Sequence, residues 1–110
     1  MKKIFLLCLP LFITTLSCTY DVKEPEPSAA CSLSVSFDDT IKPIIESNCA
    51  ISGCHNGSQE PDLRSYAEII RNKESIKTRT SDRSMPLGRT LTQTQIDAIS
   101  CWVQQGALNN

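Results

Sequence analysis

The chain holds a single histidine, His55, and it directly follows the second of two closely spaced cysteines: Cys49-Ala50-Ile51-Ser52-Gly53-Cys54-His55. Thiols beside an imidazole support two kinds of chemistry. Each thiol can form a thioether with a porphyrin vinyl group while the imidazole ligates the iron, and C-x-x-C-H is the signature of that c-type haem attachment. The spacing here, C-x-x-x-x-C-H, is the same signature stretched by two residues. Cysteine and histidine also bind zinc. Zinc suits these residues less well, because adjacent Cys54 and His55 make poor tetrahedral geometry and a fourth ligand needs Cys31 or Cys101. A lone histidine elsewhere reads as a surface or capping residue; directly after the second cysteine the ligand role dominates.

A haem iron takes a second axial ligand, and the composition narrows the choice. With His55 used, no other histidine exists in the chain, which leaves Met85, the one methionine besides the initiator. It sits in Ser84-Met85-Pro86, and the proline stiffens the loop that would hold a weak thioether ligand. Thioether ligation favours reduced iron and raises the potential, as suits electron transfer. Without the cysteine motif, Met85 would read as a filler of core gaps.

The first residues bound where this chemistry could happen, since they point to export and so to an oxidising compartment. Met1-Lys2-Lys3 is a charged start, and Ile4–Leu16 is nearly all apolar but short for a bilayer span. That is the shape of a signal-peptide core, so 1–17 reads as a signal peptide. Thr15-Leu16-Ser17-Cys18 resembles a bacterial lipobox and marks Cys18 for lipidation; the alternative is ordinary secretory cleavage nearby, with Cys18 a spare thiol. Residues 18–32, with Glu24-Pro25-Glu26-Pro27, read as a flexible tether. The folded domain is then 33–110, lipid-anchored to the cell membrane or outer membrane, in the periplasm or at the cell surface.

Export organises the cysteines. Cys8 leaves with the signal peptide, Cys18 takes lipid, and Cys49 and Cys54 take haem. Cys31 and Cys101 remain and are expected to form a disulfide, since exported proteins seldom leave thiols unpaired. The haem-free alternative is a local Cys49–Cys54 disulfide. The chain carries −1 overall; loss of Lys2 and Lys3 with the leader leaves 9 basic and 12 acidic residues, or −3. Nothing suggests a nucleic-acid partner.

Three helical segments must position these groups. Phe37, Ile41, Ile44 and Ile45 share one helical face after the cap Ser36, with Pro43 predicting a kink or two short pieces. Ser65 and Glu68 have capping-box spacing ahead of Tyr66, Ile69, Ile70 and Ile76. Thr92 and Gln95 repeat it ahead of Ile96, Ile99, Trp102 and Val103, with Gly106 closing the helix. No alternating strand pattern occurs. The fold class is all-α, with about three main helices in one small domain of a size that usually needs a staple or cofactor.

The chain resembles the small class I cytochrome c-like lipoproteins of the bacterial envelope, particularly the Bacteroidetes type with four residues between the haem cysteines. The residues that carry this are Ile41-Lys42-Pro43-Ile44-Ile45, Gly53-Cys54-His55, Asp62-Leu63, Tyr66, Met85-Pro86 and Trp102-Val103-Gln104-Gln105-Gly106-Ala107, with Asn109-Asn110 at the end. The resemblance covers roughly residues 35 to 110. It implies a helical domain wrapped round one covalent haem c held by Cys49, Cys54, His55 and Met85, with Phe37, Ile41 and Trp102 meeting at a helix crossing beside the haem. It also implies an electron carrier with transient redox partner proteins, not an enzyme by itself. A haem sensor or peroxidase-like module with a displaceable Met85 is the alternative haem function. The short stretch from His55 to Met85 implies a trimmed middle and a more exposed haem edge.

Overall fold

The computed structural model describes residues 31–110. The expected signal peptide, the expected lipidation site Cys18 and most of the expected tether lie outside the described residues. From Phe37 onward the elements run as a π-helical turn at Phe37–Ile41, α1 at Lys42–Asn48, α2 at Tyr66–Arg71, α3 at Lys73–Ser81 and α4 at Gln93–Gln104. No strand occurs among the described residues, so the domain is all-α as its periodicities require. No helix among them is long and apolar enough to cross a membrane.

Pro43 explains the first element. It has no amide hydrogen and cannot close an α-turn back to Asp39. The chain widens instead into i→i+5 bonds, from Ile41 N to Ser36 O and from Lys42 N to Phe37 O, before α1 begins with the proline in its first turn. The Ser36 side chain accepts from Asp39 N, as an N-cap should.

The segment opened by Ser65 is two helices rather than one. Ser65 Oγ accepts from Glu68 N, but the reciprocal half of the capping box is missing, because the Glu68 carboxylate pairs with Arg71 instead. At Asn72 the backbone leaves helical geometry (φ −105°, ψ 7°), and its side-chain amide donates to Glu68 O at 2.8 Å. That bond competes with the helix, a habit of short polar side chains. At α4 both halves of the Thr92/Gln95 box form. Its far end closes around Gly106 (φ 94°): Gly106 N donates to Val103 O and Ala107 N to Trp102 O, the reciprocal pair of a Schellman ending.

The core lies where the first turn and α4 meet. Ile41, Ile45, Ile99 and Trp102 are almost fully buried. The Phe37 ring meets Tyr66 edge-on at 4.9 Å and Trp102 at 5.6 Å, distances at which aromatic pairs attract. Trp102 Nε1 donates to Leu108 O and Tyr66 Oη to Ala107 O, so the polar tips of the buried indole and the half-buried phenol are both satisfied. The Asn110 side chain and main chain accept from Phe37 N and Asp38 N, two amides that a helix start leaves without internal partners.

Cys31 and Cys101 form the expected disulfide, with Cα atoms 5.1 Å apart. Beside it, Gln105 Nε2 donates to Cys31 O and Leu33 O, and Gln105 Oε1 accepts from Val35 N. Cys31 is thus tied to α4, two residues ahead of the domain boundary expected at 33. Replacing both cysteines by serine should cost about 4 kcal/mol, since the bridge closes a loop of about 70 residues. A thermal melt of the variant checks it; an unchanged Tm would deny the bridge a stabilising role.

Candidate functional site

α1 delivers Cys49. Asn48 Nδ2 turns back to Ile44 O at 2.9 Å, and Cys49 N and Ala50 N both donate to Ile45 O at 2.8 Å, which ends the helix. The four residues between the cysteines then fold on themselves. Cys54 N donates to Ile51 O and His55 N returns to Cys49 O at 3.1 Å. Gly53 stands at φ 80°, a left-handed conformation that costs glycine little. A side chain there would meet no neighbouring atom, so the glycine serves the backbone alone. The two additional residues of the stretched motif are thus absorbed in one closed loop.

His55 is fixed from both ends. Its carbonyl accepts from Leu63 N at 2.8 Å, and its Nδ1 lies 2.9 Å from Pro61 O. A carbonyl only accepts, so the proton of the neutral ring sits on Nδ1, and Nε2 keeps its lone pair. This is the support that ligating histidines commonly have. Asp62, next along, is clamped by the Arg64 guanidinium and by Arg64 N. The guanidinium's hydrogen bonds hold the Asp62 carboxyl below the usual carboxylate range.

Met85 arrives from the other side of the sequence. Its amide donates to Arg79 O at 3.0 Å, folding the loop back onto the end of α3. The four residues Cys49, Cys54, His55 and Met85 line a single cavity of about 350 Å³, within the range of small-molecule and cofactor pockets. Pro61, Leu63, Ile76, Pro86 and Leu87 give it apolar walls.

Two findings differ from the sequence expectations. Phe37, Ile41 and Trp102 do cluster, but none of them lines the cavity; they form the core, joined to the cavity wall through Leu63. The wall expected of them is made by α3 through Asn72, Ser75, Ile76, Arg79 and Thr80. Their spacing (72, 75, 76, 79, 80) is one helical face, and that signal was in the sequence, disguised because only Ile76 is apolar.

Cys49 and Cys54 are free thiols, so the local disulfide of the haem-free alternative is not formed here. Cys31 and Cys101 are joined to each other and cannot complete a zinc site with them. Among the described residues, no group of three or more His, Cys, Asp or Glu side chains is placed to hold a metal ion by itself. Burial, and then the neighbouring Cys54, push the Cys49 thiol from 9.0 up to about 11.

No match to this chain is found among protein-family models, curated proteins or solved structures. The functional argument therefore rests on the cavity and its donors. As a donor set they fit an iron porphyrin: two free thiols, an imidazole with a free Nε2, and a thioether share one apolar-walled space.

The raised Cys49 value has a sign. Its folded pKa exceeds the unfolded one, so folding gains from the protonated thiol below about pH 9 and loses that gain as pH rises towards 11. In the haem-free folded chain, iodoacetamide should label half-buried Cys54 first. Cys49 should stay slow at about pH 8 and react only as the solution nears its own pKa. Equal labelling of both thiols at about pH 8, read by peptide mass spectrometry, would contradict the buried placement of Cys49.

Proposed function

We propose that this chain is a mono-haem c-type cytochrome of the bacterial envelope, tethered through lipid on Cys18, and that it transfers electrons. One observation carries the reading: residues drawn from positions 49 to 85, chosen by type and spacing alone, line one cavity. Cys49 and Cys54 would hold haem c covalently, and His55 and Met85 would ligate its iron. When bound, the haem supplies a one-electron Fe(III)/Fe(II) couple.

The chain's own residues do the rest. Pro61 O holds the His55 proton on Nδ1, which fixes the ring's orientation and makes Nε2 the better donor. The Arg79 carbonyl holds the Met85 amide and so keeps the thioether at the cavity. Leu63 and Ile76, both buried, keep water from the interior wall and favour the less charged, reduced state. With His55 and Met85 both used to hold the iron, the chain would act as an electron carrier, alone or as a subunit of a larger oxidoreductase, rather than as an enzyme.

The deciding measurement is a pyridine haemochrome spectrum of the mature protein made in a periplasm with a cytochrome c maturation system. Covalent haem c that survives acid-acetone extraction is expected, with a shifted band in Cys54→Ser where only one thioether forms. Protein without covalent haem overturns the proposal and leaves an exported lipoprotein of interaction type. In the reduced state, Met85→Ala should bind carbon monoxide and the parent chain should not. Binding by the parent at neutral pH would transfer the assignment to a sensor or peroxidase-like module.

A further inference from the structure

The net charge conceals a strong separation. Residues 71–89, which hold α3 and the Met85 loop, carry six basic and two acidic side chains, a local +4. The other described residues carry two basic and seven acidic, a local −5. One side of the cavity is built from this basic segment, through Asn72 to Leu87. Arg79 lines the cavity beside Met85 and Leu87. Arg89 donates to Ser47 O at 3.1 Å, next to Asn48 of the same lining. Arg83 reaches Gln93 Oε1 at the start of α4.

All three arginines are exposed, and none is in an ion pair. Asp82 is the near counter-charge: Ser84 bonds its carboxyl and, with Arg79 contributing, holds it low. Glu60 is the one carboxylate on the cavity lining, and His55 is the other titratable side chain there besides the thiols. At the rim, Leu87 is 74% exposed. Arginine is enriched at protein interfaces, and an exposed apolar side chain close by in the chain adds area for a partner to bury. The exposed Leu33 and Leu108 line no part of the cavity.

We infer that this face is the docking surface for a redox partner whose own contact surface is acidic; the inference rests on the electron-carrier reading above. Charge of opposite sign steers encounter and sets register without strong affinity, as a carrier that must also leave requires. A protein surface fits better than an anionic bilayer. The apolar element is a single leucine on a loop, and α3 offers no apolar stripe to insert.

Small oxidants of opposite charge test the sign of the field at the electron exit. Ferrous protein gives one electron to ferricyanide, forming ferric protein and ferrocyanide, or to cationic tris(phenanthroline)cobalt(III), forming the cobalt(II) complex. If electrons leave through the basic face, the ferricyanide rate should fall roughly tenfold between about 0.01 M and about 1 M ionic strength, and the cobalt rate should rise. A combined Arg83→Gln, Arg89→Gln chain should flatten both while its visible spectrum is kept. Rates that follow the net negative charge, with ferricyanide slower at low salt, overturn the proposal.

A second arm does not need haem. In a Cys18→Ser chain, an oligoglutamate peptide should shift the amide resonances of residues 79–89, reversibly with salt. No shift there, shifts produced by phosphatidylglycerol vesicles but not by the peptide, or a salt-sensitive dimer through this face would each overturn the acidic-protein assignment. A chain without covalent haem removes the redox character of the partner along with the electron-carrier reading, and the peptide arm still decides the surface.

Discussion

Trp102 is 1% exposed, and its indole N–H must find an oxygen without water. It finds Leu108 O, which lies beyond the end of its own helix. That bond can form only because Gly106 turns the chain back, and the turn also lays Ala107 O against the Tyr66 hydroxyl. Tyr66 in turn presses on Phe37, and Phe37 on Trp102. The circuit locks the first turn, the start of α2 and the end of α4 into one block. α1 is rigidly continuous with that block, so the position of Cys49 is set by a tryptophan that lines no part of the cavity.

The cavity has the opposite character. Its walls come from short elements and loops: the end of α1, the residues from Cys54 to Leu63, α3, and Met85 to Leu87. Hydrogen bonding stiffens them, together with the core packing of Cys49, Leu63 and Ile76. His55 is held at its ring and at its carbonyl, and Met85 at its amide. A domain of this size thus divides its labour, with a dry aromatic core for stability and a bonded loop region that presents chemistry.

Much of this was legible beforehand, for identifiable reasons. The caps at Ser36, Ser65 and Thr92 are local chemistry, written in adjacent residues. The Cys31–Cys101 bridge followed from counting thiols on the expectation of export. The four donors were found by type and spacing. What stayed hidden depends on competition between distant or subtle terms. Glu68 could serve the Ser65 cap or Arg71, and the ion pair with Arg71 is what forms. Asn72 could continue a helix or cap one, and its side chain caps it. The polar face of α3 carries no hydrophobic periodicity, so a reading built on apolar stripes passes over the helix that walls the cavity.

The clasp at Cys31 has a mechanical side. Any pull arriving through the preceding chain enters at Cys31 and crosses the disulfide into α4, with Gln105 sharing the strain through Cys31 O and Leu33 O. α4 contributes no residue to the cavity lining. Load applied at Cys31 is therefore carried by the disulfide and α4, apart from the residues that line the cavity.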